Sequence, residues 1–312
     1  MSNATKDRFD AEQLDAAYAE CRAISKREAK NFYYSFVALP EARRNAICAI
    51  YAFMRRADDL SDDESFSIAE RRKHLDAWLG EWRAAHAGGR TDDPVFLAVR
   101  DAMARFTIPL RLLDELVAGV TMDLDAESGN QTDTYATFDD LYRYCYLVAS
   151  VVGLVCIRIF GYIDPRAEEL AEKTGIAFQL TNILRDVAED AERNRVYLPL
   201  EDLAAYGVSL DALKDRRFGS GAPTTEERAL IKAIADRAEE YYKAAGELLP
   251  MIDAESRPAL WVLVSIYHGL LRRIVKSDYN VFTERQSVSK VKKLSTLGIG
   301  MMRMMCARLS PR

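Results

Sequence analysis

Gly175-Ile-Ala-Phe-Gln179-Leu-Thr-Asn182-Ile-Leu-Arg185-Asp186-Val-Ala-Glu189-Asp190 runs without a proline or a second glycine. At 100° per residue, Ile176, Leu180, Ile183, Leu184 and Val187 fall on one stripe, and Asn182, Asp186 and Asp190 recur every fourth position along the neighbouring edge. A single helix therefore offers a packing face beside a line of oxygen ligands. Gly175 shares the ligand edge with Asn182, with Ala171 a turn earlier, and small residues there are expected to leave room above the polar groups. Alone, such an edge is more often a solvated surface. A second carboxylate ladder of the same spacing, far upstream, shifts the balance towards a ligand set.

That ladder closes a helix opened by Pro40, which suits a first turn because its missing N–H is an orphan there. Ile47, Ile50, Tyr51 and Met54 recur at helical spacing, and Asp58 projects close to Ile47. Asp58 is thus expected to point where the core residues point, with Asp62 near the same face and Asp59 and Asp63 turned outward.

The remaining chain fits an all-α protein. It has 312 residues, 49% of them hydrophobic, with only 9 Pro and 15 Gly, so long segments run without a breaker. A net charge of −5 gives no global field for nucleic acid. The 5 Cys and 3 His show no zinc or disulfide spacing, which fits a reducing cytoplasm. The polar N-terminus lacks a secretory signal, and no run of about 18 uninterrupted apolar residues is present to span a bilayer.

Helices are expected over about 11–30, 40–62, 67–87, 92–106 and 109–125. Beyond a polar loop at 127–137, others are expected over 137–160, 165–190, 224–249 and 258–279. Thr137 and Thr224 each open a capping-box pattern. One domain over 1–312 is expected, with residues 1–10 frayed and 294–312 a basic, Met-rich tail. Lys290, Lys292, Lys293, Arg303 and Arg308 accompany its apolar run. That pattern suits either peripheral contact with an anionic membrane at its inner face or a helix packed on the bundle.

Clustered acids need a partner. Like charges at i, i+4 destabilise a helix by a few tenths of a kcal/mol each, and the macrodipole at a helix C-terminus adds to the cost. Two ladders continuing inward imply facing ligand sets for a divalent cation. Oxygen-only ligands specify a hard ion, Mg²⁺ or Mn²⁺, shared with a substrate's phosphates. Arg55, Arg56 and Arg185 sit beside the acids, placed to receive phosphate oxygens or to neutralise Asp. Together with an apolar, aromatic interior, these groups describe a site for an apolar chain ending in a diphosphate. Phe32, Tyr51, Tyr144 and Tyr267 are the candidate faces for a carbocation.

Three motifs carry a family resemblance: Asp58-Asp-Leu-Ser-Asp62; Tyr144-Cys-x-x-Val148-Ala149-Ser-Val-Val-Gly153; and the α-helical stretch from Gly175 to Asp190 continuing to Arg195-x-Tyr197-x-Pro199. They resemble those of the squalene and phytoene synthases over about residues 26–293, with Thr174 and Ala29-Lys-Asn31 departing from the usual pattern. The resemblance implies a helical bundle around a central cavity, and head-to-head condensation of two identical prenyl diphosphates, farnesyl or geranylgeranyl, through a cyclopropylcarbinyl diphosphate. Within the family, Tyr197-Leu-Pro199 and Asp278-Tyr-Asn-Val-Phe-Thr-Glu-Arg285 resemble those of bacterial phytoene synthases and hopanoid-type presqualene diphosphate synthases rather than those of the eukaryotic squalene enzymes.

By the same resemblance Asp58, Asp62, Asn182, Asp186 and Asp190 would hold metal. Arg55, Arg185, Tyr267 and Arg285 would contact diphosphate, and Tyr144 would lie near the reacting carbons. Phe32, Tyr51, Val148, Ala149 and Gln179 would complete the substrate-binding set. NADPH is implied only if the product is squalene. A terpene cyclase acting on one prenyl diphosphate is the alternative, disfavoured by the Tyr144 to Gly153 signature; a non-catalytic helical scaffold would not need inward acids.

Overall fold

A computed structural model describes residues 3–29, 33–37, 39–127, 133–289, 295–300 and 302. The helix α1 (Asn3–Glu28) begins inside the stretch expected to fray, and the aromatic passage after it forms a short α2 (Tyr33–Val37). Phe32 lies outside the described residues. Pro40 is the N-cap of α3 (Glu41–Ser61). The next helix, α4 (Ile68–His86), opens on a capping box between Ser67 and Glu70. It is followed by α5 (Pro94–Phe106), whose N-cap Asp93 accepts from the N–H groups of Val95 and Phe96, and α6 (Leu110–Glu127).

The rod from Phe138 to Phe160 is one helix interrupted in register. Its parts are α7 (Phe138–Cys145), a π-helical turn over Tyr146–Ser150, and α8 (Val151–Phe160), ended by Gly161 at φ +80°. It is long and apolar enough to cross a bilayer by length and composition, yet over half of it is buried inside the protein. The stretch from Gly175 to Asp190 lies on α9 (Arg166–Glu192). Two short helices, α10 (Leu200–Ala205) and α11 (Leu210–Lys214), lead to α12 (Thr225–Met251) and α13 (Arg257–Lys276). The α12 helix runs one residue past Pro250, further than its sequence pattern predicts.

Among the described residues the strands are β1 (Asp133–Thr134) and β2 (Arg195–Val196), paired in parallel, with an isolated antiparallel bridge between Tyr162 and Ile252. The zipper continues through Leu200 and Glu201, whose N–H groups donate to Tyr135 and Ala136 carbonyls at 2.9 and 3.1 Å. It ties the chain entering α7 to the chain leaving α9.

Burial divides between two apolar clusters. The first gathers α1, α3, α5, α6 and α8; the second gathers α7, the C-terminal part of α9, α12 and the C-terminal part of α13. Both clusters draw on α9, with Ala167 and Ala171 in the first and Ile176 to Ala188 in the second. The same holds for α12, with Leu248 in the first, for α13 and for the interrupted rod, so four helical elements cross from one core to the other.

Candidate active site

The C-terminal half of α9 follows its sequence periodicity. Ile176, Leu180, Ile183, Leu184 and Val187 are all buried, while Asn182, Asp186 and Asp190 on the adjoining edge are half-buried. Asn182 Nδ2 donates to Gln179 Oε1 at 3.3 Å, and Asn182 Oδ1 is buried with no hydrogen-bond partner. A buried acceptor left without a donor normally costs about 1–3 kcal/mol, so this oxygen is one that could take a cation.

Asp186 lies between two guanidiniums. Its Oδ1 accepts from Arg185 Nε at 2.8 Å and from Arg285 Nε at 2.9 Å, and Oδ2 accepts from Arg185 Nη2. Arg285 also reaches Glu189 at 3.2 Å. One turn further on, burial raises the Asp190 carboxyl to about 7, reinforced by the negative charge of Asp186 and Glu189 and only partly offset by Arg195 and Arg193. Tyr267, buried and stacked at 4.5 Å on Phe178, has its hydroxyl pushed up to about 12 by burial, so it remains a proton-bearing donor. Arg185, Tyr267, Leu270, Arg285, Gln286 and Ser287 line a cavity of about 210 Å³ beside this edge.

The second group forms at the C-terminal end of α3. Asp58 is half-buried, whereas Asp59 is exposed as its helical phase requires, and Asp63, beyond the end of the helix, is exposed too. Asp62 departs from expectation. It is the C-cap, one residue beyond the helix, and its carboxylate is exposed beside the Ser61 hydroxyl at 3.2 Å. Arg55 pairs with Asp59 at 2.5 Å, yet its Nε is buried without an acceptor. Burial works against the Arg55 charge, but the Asp59 and Asp58 carboxylates outweigh it and raise the pKa. Arg56 is drawn away to Asp93. Tyr51 packs edge-on to Phe36 at 6.1 Å, with burial raising its hydroxyl.

Tyr144 is buried and stacks on Tyr197 with ring centroids 5.1 Å apart at 15°, with Tyr135 at 5.5 Å on the same assembly. Val148 and Ala149, both half-buried, sit on the π-helical turn. The expected room above Gly175 is absent. A Cβ there would meet Ser150 Cα at 2.5 Å and its backbone N at 2.7 Å, so the glycine brings α9 against the turn rather than opening space. Gly153 approaches Ala171 in the same way, with a Cβ reaching its carbonyl at 3.2 Å. Thr174, the departure beside Gly175, donates its hydroxyl to Leu170 O at 2.7 Å and so remains satisfied though buried.

The structure thus assembles Gln179, Asn182, Arg185, Asp186, Tyr267 and Arg285 around the α9 edge, with Asp190 one turn on. It places Tyr51, Arg55 and Asp58 together on α3. Among the described residues, no three His, Cys, Asp or Glu side chains already converge to hold a metal. One acid at these groups escaped the sequence reading, and another was read without its partner. Glu189 sits in a recognised acidic run, but its pairing with Arg285 depends on a distant segment. Glu28, at the end of α1, contributes its charge to both Tyr51 and Arg55, and nothing in its local sequence signals this.

The squalene/phytoene synthase family model matches residues 25–292. The chain is 36% identical over 304 residues to the 15-cis-phytoene synthase of Synechococcus elongatus, covering 93% of this chain and 94% of that one. It is 36% identical over 291 residues to the chloroplastic phytoene synthase 1 of Arabidopsis thaliana, covering 91% of this chain and 66% of the plant protein. Among solved structures, a dehydrosqualene synthase superposes with a TM-score of 0.79 at 30% identity, covering 95% of this chain and 99% of that one. A squalene synthase from Alicyclobacillus acidocaldarius gives 0.77 at 28% identity, covering 86% and 97%. The protein therefore belongs to the squalene/phytoene synthases, divalent-metal-dependent prenyltransferases of the isoprenoid synthase helical fold that condense two prenyl diphosphates head to head.

Proposed function

We propose that this enzyme joins two geranylgeranyl diphosphates into phytoene, and that the α9 edge and the end of α3 carry the reaction. The observation that supports the site is the buried, unpartnered Asn182 oxygen on the same edge as Asp186 and Asp190, beside a cavity that holds Arg185, Tyr267 and Arg285. The product assignment rests on the 36% identity with a 15-cis-phytoene synthase over nearly the whole of both chains. The entire chain acts as one catalytic domain in this reading, since α9 and α13 contribute to both cores.

The donor set fits a hard divalent cation, Mg²⁺ or Mn²⁺. Asn182, Asp186 and Asp190 would hold it on one side, Asp58 and Asp62 on the other. Such an ion completes its shell from diphosphate and water. When bound, the cation would neutralise charge on the departing diphosphate. Arg185, Arg285 and Tyr267 then act as donors to diphosphate oxygens. Arg185 and Tyr267 are held in place before reaction, which favours the separated charge more than the intact substrate. Tyr144, held rigid by Tyr197, presents a ring face to the allylic cation, and Tyr51 does the same from α3. Buried apolar walls exclude water that would otherwise quench it.

In the phytoene route the final cation loses a proton, so NADPH does not enter. A second reading, condensation of farnesyl diphosphate, is favoured by the likeness to a dehydrosqualene synthase structure. Incubation with farnesyl and, separately, geranylgeranyl diphosphate plus Mg²⁺, with and without NADPH, distinguishes them by mass spectrometry. A C40 product from geranylgeranyl diphosphate, independent of NADPH, is expected. A C30 product alone would transfer the assignment to the shorter substrate, and a cyclised product from one substrate would overturn the condensation reading. The basic Met-rich tail, most of which lies outside the described residues, is proposed to deliver the apolar product to an anionic membrane. Equal flotation of the intact chain and a folded truncation with anionic liposomes would dismiss that role.

A further inference from the structure

Oδ1 of Asp186 accepts hydrogen bonds from Arg185 Nε at 2.8 Å and from Arg285 Nε and Nη2 at 2.9 and 2.8 Å. The two arginines are not equivalent. Arg185 belongs to α9 and its side chain is 20% exposed, whereas Arg285 arrives from the segment after α13 and is 50% exposed. The backbone that carries Arg285 is firmly anchored. Val281 and Phe282 are fully buried, the Arg216 guanidinium lies 4.5 Å over the Phe282 ring, and Gly219 N–H donates to Phe282 O at 2.9 Å. Gln286, also buried, accepts from Arg273 Nε at 3.3 Å and donates to Asn280 O at 3.2 Å. With its base pinned and its head half in water, Arg285 is a side chain that moves on a rigid mount.

We propose that Arg285 is a resident counter-cation, which occupies Asp186 until a divalent cation arrives and then transfers to the diphosphate. The inference rests on the reading of the α9 edge as the metal and diphosphate site. A hard cation takes a carboxylate oxygen at about 2.0–2.1 Å, a position that the two guanidiniums together contest by both hydrogen bonding and charge. Arg285 is the one free to leave. Glu189, which it already touches at 3.2 Å, keeps it beside the cavity that it lines with Arg185 and Tyr267. Once a diphosphate is present, the same guanidinium becomes a donor to it. Arg285 therefore opposes the cation alone but favours cation and diphosphate together, so the two ligands bind cooperatively. By linkage, each raises the affinity of the other by the same factor.

The test uses the full chain, Mn²⁺ as the cation and inorganic pyrophosphate as the anion, with affinities read by calorimetry. Removing an ordinary diphosphate contact would only weaken binding. Here Arg285→Ala is expected to tighten Mn²⁺ binding in the absence of pyrophosphate by about fivefold or more, and to weaken pyrophosphate binding in saturating Mn²⁺ by about tenfold. Arg285→Lys, which keeps the charge but loses the fork, should lie between wild type and Arg285→Ala for both ligands. Unchanged or weaker Mn²⁺ binding by folded Arg285→Ala would overturn the counter-cation while leaving the metal site standing. Failure of wild type and Arg285→Ala alike to bind millimolar Mn²⁺, indistinguishably from Asp186→Asn, would overturn the site reading and the inference with it.

Discussion

Asp186 and Asp190 stand one turn apart on the same edge of α9 and meet opposite electrostatics. The first is embraced by Arg185 and Arg285, while the second, half-buried beside like charges, has its carboxyl raised to about 7. In the unfolded chain Asp190 titrates near 3.8. Below that value both states are protonated and its contribution to stability is fully present; as pH rises towards and through 7 the folded state must carry a poorly compensated charge, and the contribution is lost. Metal-free Asp190→Asn should therefore melt several degrees above wild type at pH 8, with the gap narrowing towards pH 4. Melting curves across this range provide the check, and a gap that widens on acidification would contradict the assignment.

Cation binding competes with the same proton. Mg²⁺ binding near pH 6.5 is expected to release protons, seen as a buffer-dependent calorimetric enthalpy, and to release fewer at pH 8. No proton release at the lower pH would remove Asp190 from the ligand set.

The two neighbouring acids of α3 separate function from surface. Asp58→Asn is expected to lower turnover by roughly 10²–10³, the scale set by losing one charge-stabilising group. Asp59→Asn should cost far less, since Asp59 is exposed and pairs with Arg55. Turnover at saturating Mg²⁺, with melts to verify folding, decides between them. An active Asp58→Asn beside an inactive Asp59→Asn would reverse the assigned faces of the helix.

Glycines on helices offer a paired stability test. Gly175→Ala places a Cβ 2.5 Å from backbone Ser150 and is expected to destabilise by about 1–3 kcal/mol or more. Gly246→Ala, on α12 with nothing within 4 Å, should stabilise by about 0.5–1 kcal/mol. Urea melts of the two variants read these differences directly.

What the sequence disclosed was governed by local periodicity. The α9 stripe and the inward aspect of Asp58 follow from residues on one helix, so they were legible. Asp62 was misplaced because α3 ends one residue before it, and helical phase no longer applies at a cap. The role of Gly175 was hidden because its constraint is the Ser150 backbone on another element. Family resemblance identified Arg285, but its pairing with Asp186 spans 99 positions and depends on how the segment after α13 is mounted.

The π-helical turn at Tyr146–Ser150 constrains the rod in another way. A turn of this kind accommodates an additional residue within a helix, and each residue rotates the downstream helix by about 100°. Leu141, Tyr144 and Cys145 before the turn pack in one core, and Val151, Leu154 and Val155 after it pack in the other. Exchanging side chains in this turn alters local packing. Deleting a single residue would instead rephase every position downstream, aiming the buried face of α8 at the wrong neighbours. For these five residues the architecture must preserve their number as well as the small side chain of Ser150 against Gly175.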